Sequence, residues 1–222
     1  SSDLQISILH AVPSLLAIID TDIPSLRLVN SGGEACSQNI VNKWHHPNRL
    51  FYNSYGPTET TVSSCMTILN PGEEISVGKP LPYYAMAVVD DQYELVDIGE
   101  EGQLIISGPC VSSGYLNRPD LTEKVFLPKP KSLEAMIGER IYLSGDNAKM
   151  NNDGNFIVLG RRDDQIKLRG YRIELGEIEA QLNALNEVKQ AVLAVKKWHD
   201  LDQLVAYIIP NQFDETEVRS KL

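Results

Sequence analysis

Residues 53–60 of this 222-residue chain are Asn53-Ser54-Tyr55-Gly56-Pro57-Thr58-Glu59-Thr60. They follow Arg49–Asn53, which is predicted to be a strand, and the Gly-Pro pair then sets a rigid turn. The turn presents an aromatic ring, a hydroxyl and a carboxylate together. The Thr58 hydroxyl can bond a phosphate oxygen, and the Glu59 carboxylate is a hard oxygen ligand that suits Mg²⁺. Spacing alone is equally consistent with a plain turn whose Thr and Glu cap the next element.

Strand and helix patterns alternate on both sides of this turn. Leu26–Val29 is predicted to be a buried strand, Glu34–Trp44 a helix and Thr61–Leu69 a further strand, which is the order of an α/β fold. The loop Ser31-Gly32-Gly33-Glu34 follows the first of these strands. Two glycines at the carboxyl end of a strand let the backbone approach a flat ligand closely, although Gly-Gly also makes ordinary turns.

Closely spaced strands dominate the middle of the chain. Ala85–Val89, Tyr93–Val96 and Gln103–Ser107 are strand candidates separated by acidic turns, which predicts a small antiparallel or barrel-like sheet. Two more strands, Arg140–Leu143 and Asn155–Leu159, flank a polar turn.

A domain boundary is predicted at Asp163, dividing the chain into residues 1–162 and 163–222. Beyond it, Gln165–Arg169 alternates as a strand does, and leucine and isoleucine then recur at helical spacing. Strand, helix, strand, strand is the order of a small α+β unit. Its predicted elements are the helical face Leu175, Ile178, Leu182 and Leu185, the strands Ala191–Val195 and Leu204–Ile209, and a helix beginning in Asp214–Leu222.

Composition excludes several classes of function. Apolar residues make up 42% and charged residues 23%, as in ordinary globular proteins. The net charge of −10 argues against a nucleic acid or an anionic membrane as partner. Three scattered cysteines form neither a disulfide framework nor a zinc cluster. No apolar run is long enough for a transmembrane helix, and no basic leader is present, so we expect a cytoplasmic protein.

Two later motifs also carry polar side chains directly after strands. In Tyr142-Leu143-Ser144-Gly145-Asp146 the carboxylate could accept two ribose hydroxyls at once, or simply cap a turn. In Gly160–Glu179 the guanidinium of Arg161 could meet a phosphate or a ribose in forked geometry. An exposed, salt-bridged strand is the simpler explanation of that second motif.

Together these motifs resemble the adenylation domains of nonribosomal peptide synthetases, in the adenylate-forming superfamily that includes acyl-CoA synthetases and luciferases. The match spans essentially the whole chain. The resemblance implies the C-terminal part of a large core lobe, with an α/β sheet and a small β-barrel, followed by a small mobile α+β lobe. Four motifs match in order: Asn53–Glu59; Gly102–Gly108 running into Gly114–Pro119; Tyr142–Asp146, with Ser144 where the family has Thr; and Gly160–Glu179.

The resemblance also implies a role for individual residues. Thr58 and Glu59 would be catalytic, with Glu59 holding Mg²⁺, and Asp163 would be the hinge of the small lobe. The nucleotide would be bound by Gly32, Gly33, Glu34, Asn53, Tyr55, Gly56, Thr58, Asp146 and Arg161. The substrate pocket would be lined by Val29, Ser31, Ser54, Val62 and Ser63, and the thiol tunnel by Lys167, Arg169 and Gly170.

The activity that the resemblance implies is ATP-dependent activation of an amino acid or related carboxylate. The acyl-adenylate would form with release of pyrophosphate and pass to the phosphopantetheine thiol of a peptidyl carrier protein domain. Partners would be this carrier and neighbouring synthetase domains, and the resemblance also allows an MbtH-like helper protein. Since the family's phosphate loop would precede Ser1 and its catalytic lysine would follow Leu222, we expect a piece of a longer enzyme. The alternatives are an acyl-CoA or other carboxylate–carrier ligase, and a truncated, non-catalytic docking module.

Overall fold

A computed structural model describes residues 5–198 and 201–211 of the chain. The chain divides into two compact units, residues 1–163 (the first unit) and 164–222 (the second unit). The helix predicted in Asp214–Leu222 lies outside the described residues.

The first unit begins with a five-stranded sheet whose strands lie in chain order. The first three strands are parallel, and the last two run antiparallel to their neighbours. The prediction of an alternating α/β arrangement is therefore confirmed. The elements are β1 (Ile8–Ala11), α1 (Pro13–Ile18), β2 (Leu28–Gly32), α2 (Gln38–Trp44), β3 (Leu50–Tyr55), β4 (Cys65–Ile68) and β5 (Lys79–Pro80).

An apolar core holds the two helices to this sheet. Val29 of β2 and Phe51 of β3 are buried in one cluster with Leu16 of α1 and Trp44 of α2. The indole of Trp44 donates a hydrogen bond to the Leu16 carbonyl oxygen at 3.1 Å, which ties the helices together. Helix α2 is shorter than the predicted Glu34–Trp44 and begins only after Ser37. Its first predicted turn is instead a loop, because Gly33 takes a φ of +85°.

A second, antiparallel sheet completes the first unit. Its strand order is β10-β9-β7-β6, with β8 paired to β9, and an isolated bridge from Gly78 to Phe156 links β10 to the segment before β5. Strand β7 is central and buries both faces, with Leu104 and Ile106 in one cluster and Ile105 in another. The elements are β6 (Ala85–Val89), β7 (Gly102–Ser107), α3 (Pro119–Val125), β8 (Phe126–Pro128), β9 (Arg140–Met150) and β10 (Phe156–Arg161).

Two predicted strands of the first unit are wrong in part or in whole. The strand predicted over Thr61–Leu69 begins only at Cys65, because Thr61 and Val62 have φ values of 61° and 71° and turn the chain back. Tyr93–Val96 forms a loop with a single bridge, Val89 to Leu95. The carboxylate of Asp90 accepts hydrogen bonds from the backbone of Gln92 and Glu94, and this turn replaces a strand ladder.

The second unit has the predicted α+β character with one extra strand. A two-residue turn, Arg169-Gly170, joins the first two strands, and both residues have positive φ, as a type I′ hairpin requires. The predicted strand therefore ends before Arg169. Asn183 fixes the end of the helix through bonds to the backbone of Ala191. The elements are β11 (Gln165–Leu168), β12 (Tyr171–Glu174), α4 (Leu175–Asn183), β13 (Val188–Trp198) and β14 (Leu201–Pro210).

The helices of the described residues are short. The longest is α4, with nine residues. None of the helices in that part of the chain has both the length and the apolar character needed to cross a membrane.

Candidate functional site

The carboxyl ends of β2 and β3 lie side by side, because the two strands are parallel and in register. The Gly32-Gly33 loop leaves β2, and the turn Thr58–Thr60 follows β3. Gly32 brings the two strand ends close together, since a Cβ there would lie 2.5 Å from the Ser54 Oγ. Both loops thus lie at the carboxyl edge of the parallel strands, which is where ligands of open α/β sheets bind.

The two predicted catalytic side chains in the turn after β3 differ in their exposure to solvent. Thr58 is exposed, whereas Glu59 is only 6% exposed. The Tyr115 hydroxyl donates a hydrogen bond to Glu59 Oε1 at 2.6 Å, and the backbone N–H of Ser112 donates to the Glu59 carbonyl oxygen at 2.8 Å. The loop that carries Ser112 and Tyr115 therefore holds both the backbone and the side chain of Glu59.

A buried polar cluster joins β3 to the second sheet. The Tyr55 hydroxyl donates to Asp146 Oδ2, and Asp146 is 5% exposed. Arg161, paired with Asp146 in the β9–β10 ladder, approaches Asp146 Oδ1 to 3.2 Å with its Nη1. Arg161 also donates to Asp163 with Nε at 2.8 Å and with Nη2 at 2.5 Å. Three residues predicted to bind nucleotide and the predicted hinge residue thus form one network.

Ser144 and Gly145 shape the loop that presents Asp146. The Ser144 hydroxyl donates to the Leu104 carbonyl at 2.7 Å and accepts from the Asp146 backbone N–H at 3.1 Å. Gly145 has a φ of +73°, and a Cβ there would lie 2.7 Å from Arg161 Nη2. A hydroxyl and a glycine are therefore both needed for this carboxylate and guanidinium to meet.

The charges of the cluster are fixed by its surroundings. Burial and the neighbouring charge of Asp146 raise the pKa of Tyr55 well above its usual range, so its phenol stays protonated at neutral pH. For Arg161, burial works to lower the pKa, but the hydrogen bonds to Asp163 and the charge of Asp146 prevail and raise it. A protonated phenol and a charged guanidinium thus face the Asp146 carboxylate.

Two predicted nucleotide-binding side chains are held by the protein itself. The amide of Asn53 donates to the buried Ser76 carbonyl at 2.7 Å. The Glu34 carboxylate accepts hydrogen bonds from the Ser14 backbone N–H at 2.9 Å and the Ser14 hydroxyl at 3.1 Å. Glu34 thereby fixes its loop against the start of α1. In both cases the side chain shapes the backbone that borders the site.

The structure does not bring the five predicted pocket residues to one surface. Val29 and Ser31 are fully buried and share the sheet face that packs on α1 and α2. Ser54 lies on the other face, beside Gly32. Val62 and Ser63 lie in the turn after Glu59, where Val62 is 75% exposed. Gly56 is essential to that turn, because a Cβ there would lie 2.5 Å from the Val62 carbonyl oxygen.

The donors present suit a cation that is shared with a phosphate. Among the described residues no group of three or more His, Cys, Asp or Glu could hold a metal ion. Glu59 nevertheless offers one anchored carboxylate. Mg²⁺ is commonly held by one or two carboxylates together with substrate phosphates and waters, so Glu59 fits a Mg²⁺ that arrives with a nucleotide.

The predicted tunnel residues belong to the second unit. Lys167 lies on β11, opposite Arg172 of β12, and Arg169-Gly170 forms the turn between these strands. All three predicted residues are exposed on this hairpin.

Sequence reasoning missed two contacts. It gave Tyr115 no role, although the residue lies in the quoted motif Gly114–Pro119, and it predicted Tyr55 to bind nucleotide without its hydrogen bond to Asp146. The partners are 56 and 91 residues apart. The only available signal was that both members of each pair lie in matched motifs.

The carboxyl end of a parallel strand is where α/β proteins bind nucleotides, and the buried Asp146 and Arg161 of the second sheet meet Tyr55 at the carboxyl end of β3. The family model described as "AMP-binding enzyme" matches residues 2–116, slightly more than half of the chain. The chain therefore belongs to the AMP-binding enzyme family.

Individual relatives extend the comparison to the rest of the chain. A delta-poly-L-ornithine synthetase of Acinetobacter baumannii is 46% identical over 206 residues, covering 93% of this chain and 15% of the relative. The structure of a four-domain nonribosomal peptide synthetase bound to AMP and glycine is 33% identical, with a TM-score of 0.66, and covers 97% of this chain and 16% of that chain. These relatives confirm the predicted resemblance to adenylation domains.

A further structure shows the fold. An NRPS protein containing adenylation and PCP domains, bound to a vinylsulfonamide inhibitor, has a TM-score of 0.85 at 24% identity and covers 97% of this chain and 39% of that chain. The predicted adenylate-forming fold is thus confirmed. The chain spans only a part of the relatives it matches, 15% of the ornithine synthetase and 34% of novobiocin biosynthesis protein H from Streptomyces niveus.

Proposed function

We propose that this chain is part of an adenylation domain that activates an amino acid or related carboxylate with ATP. The substrate carboxylate would attack the α-phosphate, forming an acyl-adenylate and releasing pyrophosphate. The observation that carries the proposal is the network of Tyr55, Asp146 and Arg161, which lies next to the Thr58–Glu59 turn in a member of the AMP-binding enzyme family.

The residues of the site would act mainly by position and charge. Asp146 would bind the ribose hydroxyls, Arg161 would contact the ribose or a phosphate, and the exposed hydroxyl of Thr58 would bond the α-phosphate. The backbone of Gly32 and Gly33 would border the adenine, since neither residue has a side chain in the way. Of the five residues predicted to line the acyl pocket, we propose that Val62 and Ser63, in the turn after Glu59, contact the acyl group, because Val29 and Ser31 are fully buried on the face that packs on α1 and α2.

Glu59 would hold the Mg²⁺ that accompanies ATP. The ion supplies charge neutralisation at the phosphates when it is bound. The contribution of this chain is a buried carboxylate on a turn whose backbone is held by the N–H of Ser112.

We further propose that the boundary near Asp163 works as a hinge between residues 1–162 and 163–222. After adenylation the second unit would turn, and its hairpin residues Lys167, Arg169 and Gly170 would line the path of a phosphopantetheine thiol. The carrier protein that bears this thiol and neighbouring synthetase domains would be the partners, and an MbtH-like helper protein is a further candidate. The three unpaired cysteines support a cytoplasmic location.

The test is ATP–pyrophosphate exchange by the full-length protein across amino acids, including ornithine and glycine, and fatty acids. We expect exchange with amino acids and its loss in Asp146→Ala through a raised KM for ATP. Asp153→Ala, in an exposed turn of the same unit, is the matched control. Exchange with fatty acids only would favour the acyl-CoA ligase, and absence of exchange with every acid would favour the docking module.

A further inference from the structure

Tyr115 makes a contact that the proposed function does not use. Its hydroxyl lies 2.6 Å from Glu59 Oε1, although the two residues are 56 positions apart. Glu59 is 6% exposed, and a carboxylate so deeply buried requires hydrogen-bond donors. Resting on the proposed function, we infer that Tyr115 is a positioning residue, which orients Glu59 for Mg²⁺.

The ring of Tyr115 is itself held in place from two sides. Its backbone N–H donates to the Thr122 Oγ1 at 2.9 Å. Its ring packs edge-on against Phe126, with centroids 5.4 Å apart, and Phe126 in turn packs against the fully buried Tyr142. The hydroxyl therefore has little freedom to move away from Glu59.

The loop before Tyr115 is anchored as well. Arg140 donates to the carbonyl oxygens of Ser112 and Ser113 at 3.3 and 3.1 Å, and its guanidinium lies 5.4 Å from the centre of the Phe126 ring. Gly114 lets the chain pass Thr122, because a Cβ there would lie 2.3 Å from the Thr122 Cγ2. The second sheet thus fixes the loop, and the loop fixes Glu59.

The hydrogen bond to Oε1 determines where the second carboxylate oxygen lies. A ligand whose orientation is fixed in advance binds a metal more tightly than one that must be ordered on binding, and the loss of such a supporting bond commonly weakens metal affinity by about tenfold or more. A phenol suits this task because it donates a hydrogen bond and adds no positive charge that would compete with the cation.

The experiment compares Tyr115→Phe with Tyr84→Phe in the full-length enzyme. Tyr84 is a matched control, because its hydroxyl also braces the turn but donates to the Thr60 carbonyl at 2.7 Å rather than to a carboxylate. Mn²⁺ is titrated in the presence of α,β-methylene-ATP and followed by the electron paramagnetic resonance of the unbound ion. We expect Tyr115→Phe to weaken Mn²⁺ binding about tenfold and Tyr84→Phe to leave it unchanged.

Enzyme kinetics separate positioning from a general structural effect. In ATP–pyrophosphate exchange, Tyr115→Phe should raise the Mg²⁺ concentration at half-maximal rate about tenfold, while the KM for the amino acid stays constant. When Glu59→Gln is already present, Tyr115→Phe should raise the Mg²⁺ concentration at half-maximal rate hardly any further, since both substitutions act through the same carboxylate. Equal and independent effects of the two substitutions would overturn the inference.

Each failure has its own signature. An inactive wild-type enzyme refutes the proposed function, and a normal Mg²⁺ dependence in Glu59→Gln refutes the role of Glu59. If Glu59→Gln shifts the dependence and Tyr115→Phe does not, only the inference about Tyr115 is wrong. Should Tyr115→Phe fail to fold, Phe126→Leu loosens the same ring, and unchanged Mn²⁺ affinity in that variant overturns the inference.

Discussion

Replacing Tyr55 by Phe removes the phenol that faces Asp146 and keeps the buried ring in place. Asp146 is 5% exposed and would then keep Arg161 as its partner on Oδ1. Because a hydrogen bond to a buried charged group contributes about 1.5–3 kcal/mol, we expect the free energy of unfolding to fall by about 2 kcal/mol. For a chain of this size that is a decrease of roughly 4–8 °C in Tm.

The matched control is again Tyr84→Phe, in which a phenol loses a neutral acceptor, the Thr60 carbonyl. A bond between neutral groups contributes about 1 kcal/mol, so Tyr55→Phe should cost about 1 kcal/mol more than the control. Urea unfolding is followed by the fluorescence of Trp44, which is buried in the first unit, with Trp198→Phe present in every variant. Equal losses in the two variants would refute the reasoning that Asp146 is charged and depends on Tyr55.

The same pair of proteins gives a pH signature. Since the pKa of Tyr55 is raised above its model-compound value of 10.0, the folded state keeps the phenolic proton more firmly than the unfolded state does. The stability that this proton contributes is present below pH 10 and is lost as the pH rises beyond it. The difference between wild type and Tyr55→Phe should therefore shrink above pH 10, and a difference that grows there would contradict the prediction.

Three further perturbations test other parts of the chain. Burial raises the pKa of the Cys65 thiol from 9.0 to about 12. Between these two pH values the unfolded state loses this proton first, so the free energy of unfolding of the wild type should fall by up to about 1.4 kcal/mol per pH unit. Cys65→Ala should show a shallower slope in urea titrations over that range, and an equal slope would contradict it. Gly145→Ala should destabilise more than Gly154→Ala, because both glycines have φ above +70° but only at Gly145 does a Cβ come within 2.7 Å of Arg161. Equal losses of unfolding free energy in the two variants, measured by urea unfolding, would show that backbone strain alone determines the effect. Asp163→Pro should reduce loading of the carrier protein more than pyrophosphate exchange, even though it also removes the partner of Arg161, whereas equal reduction of both half-reactions would argue against a hinge at this residue.

Local patterns in the sequence predicted elements that are built from neighbouring residues. Ala85–Val89 is a strand with the predicted bounds, because its short apolar run and the acidic turn that follows are both contained in neighbouring residues. Tyr93–Val96 was predicted wrongly, because a single side chain, that of Asp90, binds the backbone of this segment. Thr61 and Val62 are β-branched and favour a strand, but the Ser64 backbone N–H bonds to the Tyr55 carbonyl and requires a left-handed turn there.

The sequence also predicted the residues of the candidate site without showing which of them contact one another. It marked Tyr55, Asp146 and Arg161 individually, each after a predicted strand. It could not show that β3 and β9 bring Tyr55 to Asp146, because a pairing across 91 residues depends on the order of two sheets. The contact of Tyr115 with Glu59 has the same origin, since the loop before α3 returns to the turn after β3 only in the folded chain.

The two carboxylates that we propose to bind ligands are both buried and are both stabilised by a tyrosine. Glu59 and Asp146 are 6% and 5% exposed, and each accepts a hydrogen bond from a tyrosine hydroxyl. A phenol satisfies a buried carboxylate and leaves its negative charge in place. Asp146 also forms an ion pair with Arg161 at 3.2 Å, so that its Oδ2 faces Tyr55 and its Oδ1 faces Arg161. Two fixed oxygens, each already oriented by the protein, suit the proposed role of Asp146 in accepting the two hydroxyls of a ribose.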